Sequence, residues 1–253
     1  MNRADQATPV LELSAIGKDF GAIRALSGLD LVIRHGEAVG LMGDNGAGKS
    51  TLVKIIAGNF RPSAGTMRFE GRPVDFARPA DAREVGIEVV YQDLALADNL
   101  SAAANVFLGR ELKRRVGPLA LLDHSAMAER AAALFRELKS ETRSSDVVRQ
   151  MSGGQRQAVA IARTRLAQAK LILMDEPTAA ISVRQVAEVL DLIRRLRDAG
   201  IAVMLISHRM PDVFAVCDRV VVLRRGEKRA DKPIANSSPE EVTALITGAM
   251  ETA

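Results

Sequence analysis

A glycine-rich segment, GDNGAGKS at residues 43–50, has the residue types and the spacing of a phosphate-binding loop. Its three glycines allow backbone N–H groups to approach phosphate oxygens without a side-chain clash. The Lys49 ammonium can pair with those oxygens, and the Ser50 hydroxyl can bind Mg²⁺. A short apolar strand precedes the loop and a helix follows it, as this chemistry requires. The segment therefore predicts a site for the terminal phosphates of a nucleotide.

Two carboxylates, Asp175 and Glu176, follow the apolar run LILM at residues 171–174. Unpaired acids at the end of a buried strand are costly unless a cation or a substrate engages them. Asp175 is suited to bind Mg²⁺ directly or through water, and Glu176 to polarise an attacking water as a general base. As an alternative, both acids would interact with the positive end of a helix beginning near Pro177.

A second anion-binding pattern, MSGGQ at residues 151–155, precedes an apolar run with helical spacing. Backbone N–H groups at the start of a helix point outward at the positive end of its dipole, where they can hold an anion. The chain therefore contains two predicted phosphate-facing segments.

Two further polar residues follow predicted strands. His208 comes after an apolar strand, where the γ-phosphate end of a nucleotide would lie, and Gln92 ends the strand GIEVVYQ. The glutamine could contact Mg²⁺ and the attacking water. Alone, each would be interpreted as a structural histidine or a surface glutamine, and only their combination with the other motifs gives them weight.

The elements that must position these residues alternate along the chain. Two early segments alternate apolar and polar residues as half-buried strands do, and later apolar runs alternate with helical patterns. This predicts a mostly parallel sheet with helices packed on it. From about residue 93 to 165, alanine-rich helical patterns dominate and strand signals disappear. We expect one domain over 1–253, with a core at about 1–92 and 166–253 and a helical subdomain at about 93–165.

Composition favours a folded protein without a membrane span. Of 253 residues, 47% are hydrophobic, yet no run of 18 or more apolar residues occurs. The single cysteine, Cys217, excludes an internal disulfide and is interpreted as a small core side chain.

The positive charge is weak support for a nucleic-acid partner. The net charge is +4, but tryptophan is absent and Tyr91 is the single tyrosine, so no aromatic platform for base stacking is visible. The basic clusters RELKRR at 110–115 and RRGEKR at 224–229 are interpreted as solvated charge at the ends of elements. We therefore expect no nucleic-acid partner.

In order and spacing, the loop 43–51, Gln92, MSGGQ, LILMDEPT and His208 resemble the nucleotide-binding subunits of ABC transporters over essentially the whole chain. The resemblance implies an α/β fold: a phosphate-loop NTPase core of the ABC ATPase type, with an antiparallel β subdomain and an inserted α-helical subdomain. It implies ATP and Mg²⁺ as cofactors.

The resemblance also assigns roles to residues. Catalysis is assigned to Glu176, His208 and Gln92, and metal binding to Ser50, Gln92 and Asp175. Nucleotide binding is assigned to Phe20, Gly43, Asn45, Gly46, Ala47, Gly48, Lys49, Ser50, Thr51, Ser152, Gly153, Gly154 and Gln155. Phe20 resembles the aromatic residue on which the family stacks adenine, and a core phenylalanine is the alternative.

The resemblance also implies partners. In ABC proteins two subunits pack head to tail, so the signature helix of one covers the ATP on the phosphate loop of the other. We expect a homodimer around two ATP, two integral membrane permease subunits and, indirectly, a periplasmic or extracellular sugar-binding protein. The expected location is peripheral, on the cytoplasmic face of the inner membrane.

Two departures from the family pattern are visible. Met151 stands where leucine is usual, which is a conservative apolar change. The segment after DEPT usually reads Ser-Ala-Leu-Asp, whereas here residues 179–182 read AAIS. The aspartate that crosses the dimer interface is therefore missing, and a cross-subunit role for Ser182 is in doubt.

Several segments, among them VYQDLALADNLSAAANVFLGRE, resemble the branch of the family that imports monosaccharides, of the shorter fructose or ribose type. The leading hypothesis is thus an ATPase that energises import of a sugar, with the permease and binding protein choosing which one. One alternative is import of another small solute. Another is a soluble ABC ATPase acting on nucleic acid or ribosomes, which the absence of sustained heptads disfavours. A non-catalytic structural protein is least expected, because Lys49, Asp175, Glu176 and His208 are all present.

Overall fold

The computed structural model of the protein describes residues 8–90, 96–166, 169–179 and 182–250. The strands are β1 (Leu11–Phe20), β2 (Ile23–Ile33), β3 (Ala38–Met42), β4 (Ala64–Phe69), β5 (Arg72–Val74), β6 (Ile87–Val90), β7 (Lys113–Val116), β8 (Leu119–Leu122), β9 (Leu171–Asp175), β10 (Ala202–Ile206), β11 (Arg219–Arg224) and β12 (Glu227–Pro233). The α-helices are α1 (Lys49–Ile56), α2 (Pro79–Val85), α3 (Ala102–Val106), α4 (His124–Glu137), α5 (Gly153–Leu166), α6 (Val183–Asp198), α7 (Met210–Val216) and α8 (Pro239–Thr247).

The central sheet has six strands in the order β12-β11-β3-β10-β9-β6. Neighbours from β11 to β6 are parallel, and β12 pairs with β11 in the antiparallel sense at the edge. A four-stranded antiparallel sheet, β2-β1-β4-β5, lies beside it. The prediction of a mostly parallel sheet accompanied by an antiparallel one is therefore confirmed.

Side chains of the central strands alternate between two apolar cores. In β9, Leu171 and Leu173 belong to the core shared with the antiparallel sheet and α1, whereas Ile172 and Met174 face the core covered by α6, α7 and α8. This is why the strand reads as an unbroken apolar run, since both faces of a parallel sheet are covered. The run ends at Asp175, where the sheet ends and its carboxyl edge begins.

A third apolar cluster joins α3, α4 and α5, with Phe107 and Phe135 fully buried in it. A partly buried ion pair connects this helical region to the central sheet, because Arg110 donates a hydrogen bond of 2.6 Å to Glu88 on β6. Burial raises the pKa of the Glu88 carboxyl, and the Arg110 guanidinium opposes that shift. Within the described chain, no helix is long and apolar enough to cross a membrane.

The expectation that strands disappear between residues 93 and 165 is wrong in one place. Strands β7 and β8 form an antiparallel hairpin within this region, joined by Gly117 and Pro118. Four-residue strands are too short to produce a clear alternation, so the two-residue turn is the available signal. Gly117 has a φ of +60°, which glycine adopts readily at the first position of such a turn.

We predict that Phe135→Ala lowers the free energy of unfolding by about 3–5 kcal/mol, because it leaves a cavity in the helical cluster. The exposed neighbour Arg136 provides the matched control, and Arg136→Ala should change stability by less than about 0.5 kcal/mol. Chemical unfolding of the two variants measures the difference. Equal midpoints would contradict the assignment of Phe135 to a packed core.

Candidate functional site

The phosphate loop follows β3 directly, and its glycines have different reasons for being there. At Gly43, with a φ of +153°, a Cβ atom would lie 2.3 Å from the carbonyl oxygen of Leu223 on β11. The loop is therefore pressed against the neighbouring strand. At Gly46, with a φ of +80°, a Cβ would have no atom within 4 Å. The loop thus has one side against the sheet and, at Gly46, one side facing open space.

The start of α1 offers backbone N–H groups to an anion. Gly48 precedes the helix in the left-handed conformation and provides no side-chain cap. The first N–H groups of a helix have no acceptor inside the helix, so an uncapped start attracts a phosphate. Ser50 and Thr51 lie in this first turn. Lys49 donates hydrogen bonds to the carbonyl oxygens of Gly43 and Asp44, which holds its ammonium against the loop.

The two carboxylates at the end of β9 share an electrostatic site with this lysine. Burial raises the pKa of the Asp175 carboxyl, the neighbouring Glu176 raises it further, and the Lys49 ammonium opposes both. Burial also lowers the pKa of Lys49, against the attraction of Glu176, Asp44 and Asp175. The structure thus brings together three residues that sequence reasoning assigned to one site. Two carboxylates at the end of β9 interact with one ammonium, so their charges are incompletely compensated by these three residues alone.

Glu176 has an unusual backbone and a constrained side chain. Its φ of +50° lies in the left-handed region, which costs a non-glycine residue about 1–2 kcal/mol. The Glu176 N–H donates to the carbonyl of Ile206 at 2.9 Å, and Oε1 accepts from the backbone N–H of His208 at 3.0 Å. The imidazole Nδ1 of His208 lies 2.8 Å from Oε2, which is an ion-pair distance, and Oε2 itself is buried.

The turn after β9 is also fixed by residues that the sequence reasoning missed. Gln157 of α5 is buried and donates to the carbonyl oxygen of Pro177 at 3.2 Å. Thr178 is fully buried and donates to the Asp212 carboxylate of α7, which also pairs with Arg209 at 3.0 Å. These partners are far apart in sequence, and no local spacing links Gln157 or Asp212 to the turn.

The second predicted anion-binding segment begins α5 with a reciprocal cap. The Ser152 hydroxyl accepts from the Gln155 N–H at 3.3 Å, and the Gln155 side chain accepts from the Ser152 N–H at 2.9 Å. This is a capping box, which satisfies two backbone donors internally. Beyond it, a Cβ at Gly153 would lie 2.9 Å from the Gln185 amide of α6, so the helix start packs closely against a neighbouring helix.

The segment 152–155 does not reach the phosphate loop of its own chain. Neither a hydrogen bond nor an ion pair joins the two segments, both of which the structure describes. The segment instead borders a cleft of about 740 Å³ whose opposite wall is α6.

Ser182, in the divergent segment 179–182, forms a capping box with Gln185 at the start of α6, so its structural role is clear. Ala180 and Ile181 of the divergent segment lie outside the described residues.

Three remaining site residues have simple positions. Phe20, at the end of β1, has 43% of its surface exposed and meets Phe60 edge to face, with ring centroids 5.4 Å apart. It is therefore not a core phenylalanine. Asn45 is exposed and Ala47 is buried under the loop. Gln92 lies outside the described residues, and its assignment stays a prediction.

With this geometry in view, comparison with known proteins decides the family. The family described as ABC transporter matches residues 26–179, which is more than half of the chain. The chain belongs to the ABC transporter family. The predicted resemblance and fold class are thereby confirmed.

Curated relatives in this family carry sugar-import names. The chain is 44% identical to the xylose/arabinose import ATP-binding protein of Sulfolobus acidocaldarius, over 94% of both chains. It is 41% identical to the fructose import ATP-binding protein of Rhizobium meliloti, over 96% of this chain and 95% of that one. A ribose import ATP-binding protein of Yersinia pestis is also 41% identical, over 95% of this chain, which spans about half (46%) of that relative's length.

Solved structures of ATP-binding cassettes share the fold of this ABC protein. The ADP conformation of one such cassette is 24% identical, with a TM-score of 0.80 over 95% of this chain and 96% of that chain. A dimeric cassette in a post-hydrolysis state, bound to ADP and Pi, is 26% identical, with a TM-score of 0.73 over 88% of this chain and 98% of that chain.

We predict that Asp175→Asn stabilises the nucleotide-free ABC protein at neutral pH while abolishing hydrolysis that depends on Mg²⁺. The native-state pKa of Asp175 is raised above its unfolded value, so the native state loses stability as pH rises between those two values. Asparagine does not titrate, so the variant does not lose this stability as the pH rises. Thermal unfolding measured from about pH 4 upward should show a stability advantage of the variant that grows until the pH passes the native pKa of Asp175.

The control is Asp75→Asn, a change at an exposed residue. Its unfolding temperature should equal that of the unmodified protein at every pH. An Asp175→Asn variant less stable than the unmodified protein at pH 8 would contradict the burial argument.

Proposed function

We propose that this chain hydrolyses ATP and that hydrolysis energises import of a monosaccharide through a membrane permease. The observation that carries the proposal is 44% identity to a xylose/arabinose import ATP-binding protein over 94% of both chains. A fructose import relative of similar coverage supports the same class of solute.

The nucleotide is proposed to bind with its phosphates on the loop after β3. The uncapped start of α1 and the open space at Gly46 provide donors and room for phosphate oxygens. Lys49 then exchanges its loop carbonyl partners for phosphate oxygens. Phe20, which is exposed beside Phe60, is proposed to stack on the adenine ring.

Mg²⁺ is proposed to bind where the phosphates meet the end of β9. Ser50 would supply a hydroxyl and Asp175 a carboxylate, with Gln92 as a third ligand, and oxygen ligands of this kind suit Mg²⁺. The raised pKa of Asp175 supports this assignment, because a cation there would compensate the charge that burial disfavours. When bound, Mg²⁺ neutralises charge on the phosphate oxygens.

Glu176 is proposed to accept a proton from the attacking water. The His208 N–H and the left-handed backbone fix the carboxylate, and the His208 imidazole lies 2.8 Å from Oε2. A general base requires a carboxylate that is oriented in this way. His208 is 69% exposed in its side chain and is proposed to meet the γ-phosphate end of the nucleotide.

A homodimer is proposed to complete each ATP site. Because segment 152–155 borders a cleft away from its own phosphate loop, it is available to the nucleotide of a second copy. The region 93–165 is proposed to move as a helical subdomain against the core at 1–92 and 166–253 when the γ-phosphate is present. Two permease subunits, on the cytoplasmic side of the inner membrane, would follow that motion, and an external sugar-binding protein would deliver the solute.

Growth and uptake on single carbon sources test the proposal. A strain that lacks this chain should lose growth on one monosaccharide and take up that labelled sugar at a small fraction of the normal rate. The unmodified chain should restore both, and Glu176→Gln should restore neither, because the permease would lack its energy source. Glu129→Gln, an exposed change on α4, is the matched control and should restore both.

Normal uptake of every monosaccharide, with loss of uptake of an amino acid or a lipid, would contradict the proposed solute class. Normal uptake of all solutes would contradict a role in import.

A further inference from the structure

The hairpin β7–β8 is the most unusual surface of the helical region. Residues 113–122 contain three consecutive cations, Lys113, Arg114 and Arg115, and no acid. All three are exposed, and none forms an ion pair with any residue of the described chain. This cluster was interpreted from sequence as ordinary solvated charge at an element end, but it forms a strand.

The two strands of the hairpin differ sharply in polarity. Strand β7 carries the cations, whereas β8 carries Leu119, Leu121 and Leu122, which are 62%, 45% and 44% exposed. The register places Lys113 opposite Leu122 and Arg114 opposite Leu121. Because side chains alternate between the faces of a strand, Arg114 shares one face with Leu119 and Leu121, and Lys113 and Arg115 share the other with Leu122. Each face of this two-stranded ribbon therefore presents cations beside leucine.

The exposure of these leucines to water is unfavourable. A two-stranded hairpin without a covered face is marginally stable by itself, and three exposed leucines on one short strand are unusual. These leucines therefore point to a partner that covers them.

The base of the hairpin is nevertheless held firmly. The Asp123 N–H donates to the Leu112 carbonyl at 2.8 Å, and the Asp123 carboxylate caps α4 by accepting from the Ala126 N–H at 3.0 Å. Leu112 packs against the apolar cluster of the helical region. The strands thus project from a fixed support, which is how a contact surface would be presented.

We propose that the hairpin docks on a membrane surface that contains anionic lipid. The leucines of β8 enter the boundary between headgroups and acyl chains, and the cations of β7 contact lipid phosphates. Lysine or arginine beside leucine is the pattern of interfacial segments. Glu111, which precedes β7, interacts electrostatically with Lys113 and leaves the two arginines to the lipid. The inference goes beyond the proposed function, because it depends on the hairpin and not on the ATP site.

Vesicle binding by the full-length protein tests the proposal. Without nucleotide, the protein should sediment with vesicles of phosphatidylcholine and phosphatidylglycerol, but not with phosphatidylcholine alone, and high salt should weaken binding. The triple variant Lys113→Ser, Arg114→Ser, Arg115→Ser should bind about 100-fold more weakly, since each cation near an anionic surface contributes about fivefold.

The matched control removes the same charge from the antiparallel sheet region. Arg34, Arg68 and Arg72 are exposed, and their joint replacement by serine should leave vesicle binding within about twofold of the unmodified protein. A second variant, Leu119→Ser, Leu121→Ser, Leu122→Ser, should bind about tenfold or more weakly at equal charge.

If the hairpin charge variant and the control charge variant lost vesicle binding equally, the proposal would be overturned, because binding would then depend on net charge alone. Absence of binding by the unmodified protein would also overturn it. If the hairpin variants instead lost co-purification with the permease while vesicle binding was absent, the partner would be a protein. Glu176→Gln should bind vesicles normally, so failure of the transport proposal and failure of this one are distinguishable.

Discussion

The turn after β9 is the constraint on which the site depends. It leaves a strand that is buried on both faces and must place two carboxylates at the edge of the sheet. Glu176 adopts the left-handed conformation there, and three separate elements hold the turn in place. The Ile206 carbonyl and the His208 N–H fix Glu176, Gln157 binds the Pro177 carbonyl, and Asp212 binds Thr178. This network offsets the backbone strain and fixes the direction of the Glu176 carboxylate.

The same turn connects the two anion-binding segments. Gln157 lies on the helix that Ser152 begins, so the position of α5 is tied to the turn that carries Glu176. Ser152 and Gln155 already satisfy two backbone donors of that helix, whereas α1 begins without a side-chain cap. The two helix starts are therefore chemically different. This difference supports the proposal that the loop before α1 surrounds phosphates and that the start of α5 approaches those of another molecule.

Much of this arrangement is predictable from sequence, because its signals are local. Loop 43–50, the apolar strands and the paired acids each have a spacing that one physical requirement explains. The contacts of Gln157 and Asp212 are not predictable in this way, since each joins residues distant in the chain. The hairpin was missed for another reason: strands of four residues are too short to alternate visibly, and KRRV looks like ordinary surface charge. The helix cap at Ser182 is local and predictable, because Ser182 and Gln185 have the spacing of a capping box.

The central claim is that a second copy of the chain completes each ATP site, and sedimentation of Glu176→Gln tests it most directly. This variant should bind Mg·ATP, hydrolyse it slowly and shift from monomer to dimer only when nucleotide is present. Adding Ser152→Arg should abolish the shift while ATP binding persists, because the arginine side chain would occupy the place of the partner's phosphate. Dimerisation that is unaffected by Ser152→Arg, or that occurs equally without nucleotide, would contradict the account.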